Sequence, residues 1–161
     1  MKCKVLLAVL AAIGICGMVS AASQVTLQVG FWFDVPQSIS QSTVNGGASF
    51  GLPVSAGWRV SGAELSLLAS ASQEIDGFQY ALLGYNSART LYGCQLSFLN
   101  FVKDGIPDTG VQIGLYNQSR SGGWQFGLVN NCWNNAKFQF GLVNINTNGW
   151  LPVMILVNFA R

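Results

Sequence analysis

The chain has 161 residues, of which 50% are hydrophobic and only 9% are charged, and its formal net charge is +2. This composition excludes an intrinsically disordered chain, because disorder requires low hydrophobicity and high charge. The sequence contains no histidine, which removes Ser-His-Asp and Cys-His catalytic sites as well as the commonest metal ligand.

The first 21 residues are typical of a secretory signal peptide. Lys2 and Lys4 precede an apolar run, Val5–Ile15, and residues 19–21 have the small-x-small pattern that a signal peptidase reads. The run is too short to span a bilayer stably. We therefore predict cleavage after Ala21 and export to the cell surface, the outer membrane or the periplasm.

Lipid modification of Cys16 is the alternative, although Ile15 stands where a lipoprotein needs a small residue. Cleavage after Ala21 would remove Cys3 and Cys16. Cys94 and Cys132 would then meet an oxidising compartment, where disulfides form. The repeat described below predicts a strand for Cys94 and a turn for Cys132, and it leaves their pairing open.

Loss of Lys2 and Lys4 with the leader would leave six basic and six acidic residues. Binding of nucleic-acid phosphates requires clustered cations. The remaining basic residues are scattered singly along the sequence; they are Arg59, Arg89, Lys103, Arg120, Lys137 and Arg161. A nucleic-acid partner is therefore not expected.

Residues 22–46 differ from the rest of the mature chain. The stretch Val25–Asp34 alternates, and it predicts one strand with an apolar face. That face comprises Val25, Leu27, Val29, Phe31 and Phe33. Pro36 ends the strand, and a polar, Ser-rich connection follows up to Gly46.

Residues 47–161 repeat one motif, Gly-Φ-Gln-Φ-Gly-Φ-Φ-Asn, where Φ is apolar. It is clearest in three copies, Gly110–Asn117, Gly123–Asn130 and Lys137–Asn144. Copies begin at residues 47, 62, 77, 93, 110, 123, 137 and 151, which is a spacing of 13 to 17 residues. Eight aligned copies indicate a repeat architecture.

Side chains alternate within each copy, so each copy is predicted to be a strand. The fourth and sixth positions are always large and apolar, and we expect them to form the core. The third position (mostly Gln) and the small fifth position would form the opposite face, and the Asn at the eighth would be a turn residue. The fourth column is Phe50, Leu65, Tyr80, Leu96, Ile113, Phe126, Phe140 and Met154, and the sixth is Leu52, Leu67, Leu82, Phe98, Leu115, Leu128, Leu142 and Leu156.

The connections between copies predict a second, weaker strand that also points inward. The residues at suitable positions in them are Ala71, Ile75, Ala88, Leu91, Val102 and Ile106. One strong and one weak strand per copy favour a narrow parallel β-solenoid of about eight rungs, in which each rung buries its face against its neighbours. The alternative is an up-and-down meander or small β-barrel, with its apolar positions outward to lipid.

The repeated motif and the ending Gly149–Phe159 resemble the bacterial family known as surface repeat-containing proteins. The resemblance covers residues 47–159 and is strongest in the copies at 110, 123 and 137. It implies an exported, surface-associated protein of unknown function, and it carries over no catalytic residue. The copies at 47 and 62 depart from the pattern because they lack its Gln and Asn.

Paired carboxylates could act in glycoside hydrolysis without histidine. The candidate pairs are Glu74 with Asp76 and Asp104 with Asp108. Both pairs lie in connections between copies, so we interpret them as solvated turn residues. Glu64 stands in the Gln column, where we expect a solvated replacement. No catalytic residue, cofactor site or metal site is predicted.

Aromatic side chains crowd the last three copies. We expect Trp124 to be core and Trp150 to cap the end, which leaves Trp133 free among asparagines, with Tyr116 nearby. Exposed aromatic rings on a regular β surface stack on sugars or contact proteins. The predicted contact surface consists of Tyr116, Trp133, Gln112, Gln125 and Gln139.

The sequence thus predicts an exported, surface-associated structural or interaction module with no catalytic activity and no cofactor. Its partner would be a protein or a glycan. The alternatives from other classes are a small outer-membrane β-barrel and a carbohydrate-binding module, the latter requiring Trp133 and Tyr116 to be exposed together.

Overall fold

A computed structural model describes residues 24–31, 43–104 and 108–161, and within these ranges the chain consists of strands and turns without a helix. The strands are β1 (Gln24–Gly30), β2 (Thr43–Gly51), β3 (Val54–Ser66), β4 (Ala69–Ala81), β5 (Tyr85–Leu91), β6 (Cys94–Leu96), β7 (Leu99–Val102), β8 (Asp108–Ile113), β9 (Tyr116–Ser119), β10 (Gly122–Phe126), β11 (Val129–Cys132), β12 (Phe138–Asn146) and β13 (Val153–Phe159).

The strands coil into a parallel β-solenoid of about seven turns. One side of each turn, the Gln side, carries the third position of the motif and is formed by β1, β2, β6, β8, β10 and parts of β3, β4 and β12. The other side, the Asn side, is formed by β5, β7, β9, β11 and the remainder of β3, β4 and β12. The predicted solenoid is confirmed. The meander and barrel alternatives are wrong, because parallel pairing joins residues one turn apart in a stack.

One copy of the motif makes one turn. Gln95 pairs with Gln79 on one side and with Gln112 on the other, and Gln125 continues the column to Gln139. Identical positions therefore stack, as the sequence predicted. Such stacking fills the interior with columns of one residue type.

Strand β1 is an additional copy that the sequence analysis did not count. Residues 27–31 read Leu-Gln-Val-Gly-Phe, which matches the motif from its second to its sixth position. Gln28 pairs with Ser49 in the third column, and Leu27 pairs with Ala48. Strand β1 therefore belongs to the stack. Of its predicted apolar face, Phe33 lies outside the described residues, as does the connection over residues 32–42.

The last copy does not stack in parallel, so that part of the prediction is wrong. Strand β13 runs antiparallel to β12, with Phe159 opposite Phe138 and Asn158 opposite Gln139. The chain reverses because a tight turn follows β12, closed by a 2.9 Å bond from the Gly149 N–H to the Asn146 carbonyl. Met154 and Leu156 consequently do not join the columns to which the sequence assigned them.

The interior is mostly polar, and the predicted core is on the outside. Third-position and Asn-column side chains are fully or almost fully buried, whereas the fourth and sixth columns are half-buried or exposed. The prediction that Phe50, Leu128 and their columns form the core is wrong. The physical reason is space and hydrogen bonding: the coil is narrow, and stacked amides satisfy one another there.

A small apolar core lies where the Asn side of one turn leads into the Gln side of the next, a region that we call the third corner of the coil. It consists of Val44, Val60, Ile75, Ala88, Leu91 and Val102. Four of the six residues that the connections were predicted to turn inward are among them, namely Ile75, Ala88, Leu91 and Val102, and for these the prediction is confirmed. Ala71 is only half-buried, and Ile106 lies outside the described residues.

Candidate functional surface: an apolar exterior on an amide-filled core

A ladder of glutamine amides runs through the Gln side. Each Gln Nε2 donates to the side-chain oxygen one turn towards the N-terminus, over 2.7–3.0 Å. In chain order the ladder consists of Gln79, Gln95, Gln112, Gln125 and Gln139. Four of these, Gln79, Gln112, Gln125 and Gln139, also donate to a backbone carbonyl of the Asn side. The ladder joins the two sides as well as the turns.

The asparagine column forms a second ladder that runs in the opposite direction. Each Asn Nδ2 donates to the Oδ1 of the asparagine one turn towards the C-terminus, over 2.8–3.1 Å. The members are Asn86, Asn100, Asn117, Asn130 and Asn144. All are buried within strands, so the prediction that the Asn column forms turns is wrong for the stacked copies.

These ladders overturn part of the predicted contact surface. Gln112, Gln125 and Gln139 are at most 2% exposed. They therefore hold the turns together and offer nothing to a partner. Each ladder ends on an acceptor that has no donor among the described residues, Oε1 of Gln139 in one and Oδ1 of Asn86 in the other.

At its N-terminal end, the glutamine ladder meets a buried carboxyl group. Glu64 is fully buried and accepts hydrogen bonds from Gln79 Nε2 at 2.9 Å, Ser55 Oγ at 2.7 Å and Ser72 Oγ at 2.9 Å. The prediction that Glu64 is solvated is wrong. Burial raises the pKa of Glu64, and the hydrogen bonds from Ser55, Ser72 and Gln79 partly offset the rise.

We expect the stability of the protein to fall as the pH rises, and Glu64→Gln to remove this dependence. A carboxyl group whose pKa is higher in the folded state binds its proton more tightly there. Its contribution is fully present below the ordinary value near 4.5 and is lost as the pH rises through the raised pKa. At neutral pH the amide should stabilise the fold by about 1–3 kcal/mol. Urea unfolding at a series of pH values measures this.

The control for this prediction is Glu74→Gln, because the Glu74 side chain is partly exposed and faces Arg59 at 3.6 Å. That variant should keep the pH profile of the wild type. A wild-type profile in Glu64→Gln would contradict the assignment of the pH dependence to Glu64.

The small fifth position allows the turns to approach. A Cβ on Gly127 would lie 2.2 Å from the Gly114 carbonyl oxygen and 2.6 Å from Asn117 Nδ2. Gly141 is crowded in the same way by Gly127 and Asn130. The backbone and the asparagine ladder of the preceding turn therefore pack closely against this column.

The outer surface of the Gln side is a continuous apolar face, which we call the apolar face. It carries the second and fourth positions of the eight parallel strands together with Val157 and Phe159 of β13, and among the described side chains none that projects from it is charged. Several large side chains on it are 37–51% exposed: Phe50, Phe78, Ile113, Trp124, Phe140 and Phe159. Trp124 was predicted to be core and is exposed.

A groove follows the corner next to the apolar face. Its walls are the fourth and sixth columns, and its floor is the backbone of the small fifth position. One section of about 530 Å³ extends from Val29 to Leu82, and a second of about 310 Å³ extends from Tyr80 to Leu115. The two sections share Tyr80 and Leu82, so the groove crosses six turns.

The remaining predicted contact residues lie on the Asn side. Trp133 is 61% exposed, in a shallow cleft of about 230 Å³ with Lys103 and Arg120. Tyr116 is half-buried, and its ring lies 5.9 Å from that of Phe101. Tyr116 pairs with Val129, four residues before Trp133. The structure therefore exposes Trp133 as predicted but does not bring the two rings together.

The carboxylates are dispersed along the third corner of the coil. Glu74 and Asp76 lie within β4 and face Arg59, and Asp104 accepts a 2.8 Å ion-pair contact from Arg89. They are strand or ion-pair residues, so the interpretation of Glu74 and Asp76 as turn residues is wrong. The side chain of Asp108 lies outside the described residues.

The two cysteines occupy different environments. Cys94 is a free thiol on the apolar face, where partial burial raises its pKa. Cys132 is buried at the end of β11, and not in a turn as predicted. Trp150, predicted to cap the end, stacks on Phe159 with ring centroids 5.7 Å apart.

In the described ranges, no helix is long and apolar enough to cross a bilayer. Comparison with known proteins finds no matching family model, no matching curated protein and no matching solved structure. The site therefore has to be interpreted from its own geometry.

Proposed function

We propose that the protein is an exported, surface-associated interaction module of the bacterial envelope without catalytic activity, and that it binds through its apolar face. The observation that supports this most strongly is that the usual placement of polar and apolar side chains is reversed. Amides fill the interior, while rows of Phe, Leu, Ile, Val and Trp stand outside. Monomeric soluble proteins rarely expose contiguous apolar patches above roughly 300–600 Å².

The sequence supports the location. A basic start, a short apolar run and a small-x-small site at residues 19–21 form a secretory leader. The motif resembles that of bacterial surface repeat-containing proteins, which are exported. The proposal of envelope association rests on these two features together with the apolar face.

The arrangement of acidic groups supports a non-catalytic role. Glu64 is sealed inside the coil, where Ser55, Ser72 and Gln79 donate to it. Glu74 and Asp104 face arginines on the outside. A pair of carboxylates for general acid–base chemistry needs to flank a common substrate position; the neighbouring pair Glu74 and Asp76 shares Arg59 as its ion-pair partner instead.

Expression of the full chain in a Gram-negative host, followed by cell fractionation, tests this proposal. We expect the chain in the envelope, with Ala22 as its first residue by mass spectrometry. A charged substitution on the apolar face, Ile113→Lys, should release it during a mild wash. The control is Trp133→Lys, which places the same charge at a more exposed aromatic position on the Asn side. An unprocessed cytoplasmic chain, or equal release of both variants, would contradict the proposal.

A further inference from the structure

We propose that the apolar face packs against the same face of a second copy, so that the protein is a two-fold symmetric dimer. The inference rests on the proposed function, in which this face is the binding surface, and it names the partner. Closed two-fold dimers are the commonest soluble oligomers, and each copy contributes the same patch to the interface.

The size of the apolar face suits a stable dimer. Nine strands cross it, from β1 to β13, so at about 4.8 Å per strand it is about 40 Å long. The apolar face and the groove beside it together span the second to the sixth positions and are about 15 Å wide. Two copies would bury roughly 1,200 Å² in total, which exceeds the approximately 1,000 Å² expected of a specific interface.

The shape of the face is self-complementary. The fourth column forms a ridge, and the groove between the fourth and sixth columns runs beside it along six turns. Ridge and groove have the same repeat distance, because both follow the turns of the solenoid. The ridge of one copy can therefore enter the groove of the other, as side chains interdigitate between packed sheets.

The distribution of charge favours a second copy over a lipid surface. Apolar surfaces that lie on anionic membranes carry Lys and Arg beside their apolar side chains. Here Lys137 and Arg161 border only one end of the apolar face, beside β12 and β13. The other described basic side chains lie along the third corner or the Asn side; they are Arg59, Arg89, Lys103 and Arg120. Like faces that carry no charge meet without repulsion.

Cys94 gives a reporter within the face. It lies on β6, the fifth of the nine strands that cross it. A partner that covers the face covers this thiol. Its labelling by a maleimide at mildly alkaline pH should slow as the protein concentration rises, because dimerisation depends on concentration whereas the exposure of a monomer does not.

Sedimentation velocity of the exported, processed chain in detergent-free buffer tests the inference. The wild type and Trp133→Lys should sediment with twice the mass of one chain, and Ile113→Lys with the mass of one chain. Far-UV circular dichroism and a thermal melt establish that Ile113→Lys keeps the fold, which its 40% exposure permits. The Cys94 labelling rate should depend on concentration in the wild type and not in Ile113→Lys.

Three results would overturn the inference. The wild type could be monomeric at every concentration, its assembly could persist in Ile113→Lys, or it could be monomeric and float with phosphatidylethanolamine–phosphatidylglycerol vesicles, which would assign the face to lipid. A monomeric chain that stays in the envelope through this face would overturn the dimer and leave the proposed function standing. A dimer that is not associated with the envelope would support the inference of dimerisation and overturn the proposed function.

Discussion

Replacement of Gln125 with Leu should lower the free energy of unfolding by about 3–5 kcal/mol, although it puts an apolar side chain of similar size into a buried position. The Gln125 Nε2 group donates to Gln112 Oε1 at 2.8 Å, and its Oε1 accepts from Gln139 Nε2 at 2.7 Å. Leucine would leave Gln112 Oε1 without its donor and one N–H of Gln139 Nε2 without its acceptor in a dry interior. Urea unfolding followed by circular dichroism measures the loss.

The matched control is Leu128→Gln, which makes the reverse change three residues later. Leu128 is 50% exposed, so its polar replacement should change stability by no more than about 1 kcal/mol. A conventional apolar core at the fourth and sixth columns predicts the opposite order of the two variants. That order would contradict the amide-filled interior.

Replacement of Gly127 with Ala should destabilise the fold by about 2–4 kcal/mol. The added Cβ would lie 2.2 Å from the Gly114 carbonyl oxygen and 2.6 Å from Asn117 Nδ2. The first atom belongs to the backbone of the preceding turn, and the second donates to Asn130 Oδ1 at 2.8 Å. Neither atom can move without separating two turns or breaking the asparagine ladder, and a thermal melt should show the loss.

Ser97→Ala is the control for this prediction, because Ser97 occupies the same column and its Cβ is already accommodated. It should lose only the 2.7 Å bond from Ser97 Oγ to the Gly84 carbonyl, which is worth about 1 kcal/mol. Equal losses of unfolding free energy in Ser97→Ala and Gly127→Ala would contradict the prediction that the close approach at Gly127 excludes a side chain.

The repeat made the architecture predictable. The motif recurs at nearly constant spacing, so strands, stacking and the solenoid follow from the sequence. Which face of each strand is buried does not follow from the repeat, because alternation defines two faces without indicating which one points inward. We assigned the larger apolar residues to the core by the general tendency of such residues to be buried. The narrow coil and the hydrogen bonds between its turns reversed that assignment.

A signal for the correct assignment was present in the sequence. From the copy at 77 onwards, the third position is always glutamine in the parallel copies, whereas the fourth changes among Tyr, Leu, Ile and Phe. A ladder of like amides requires the same residue in each turn, while an outer surface tolerates any apolar side chain. Uniformity within the repeat was therefore a better guide to the interior than hydrophobicity.

Local irregularities explain the other errors. Asn86 was missed because two additional residues at the corner of its copy, compared with the copy at 93, shift it beyond the eighth position. Strand β1 was predicted as a strand but was not counted as a copy of the motif, because its copy lies 21 residues before the next one. Among the predicted contact residues, the exposure of Trp133 could be predicted from its isolation among asparagines. The burial of Gln112 and its equivalents depended on the inversion of the fold and did not follow from their spacing.

Each amide ladder is bonded head to tail, so the orientations of its side chains depend on one another. An amide that rotated by half a turn within a ladder would set oxygen against oxygen on one side and nitrogen against nitrogen on the other. A single reversal is therefore forbidden, and all members must point the same way. Glu64 accepts a hydrogen bond from Gln79 Nε2, and it thereby fixes that orientation for Gln79 and for each glutamine up to Gln139. One carboxyl group at one end thus determines the polarity of a chain of dipoles that spans five further turns.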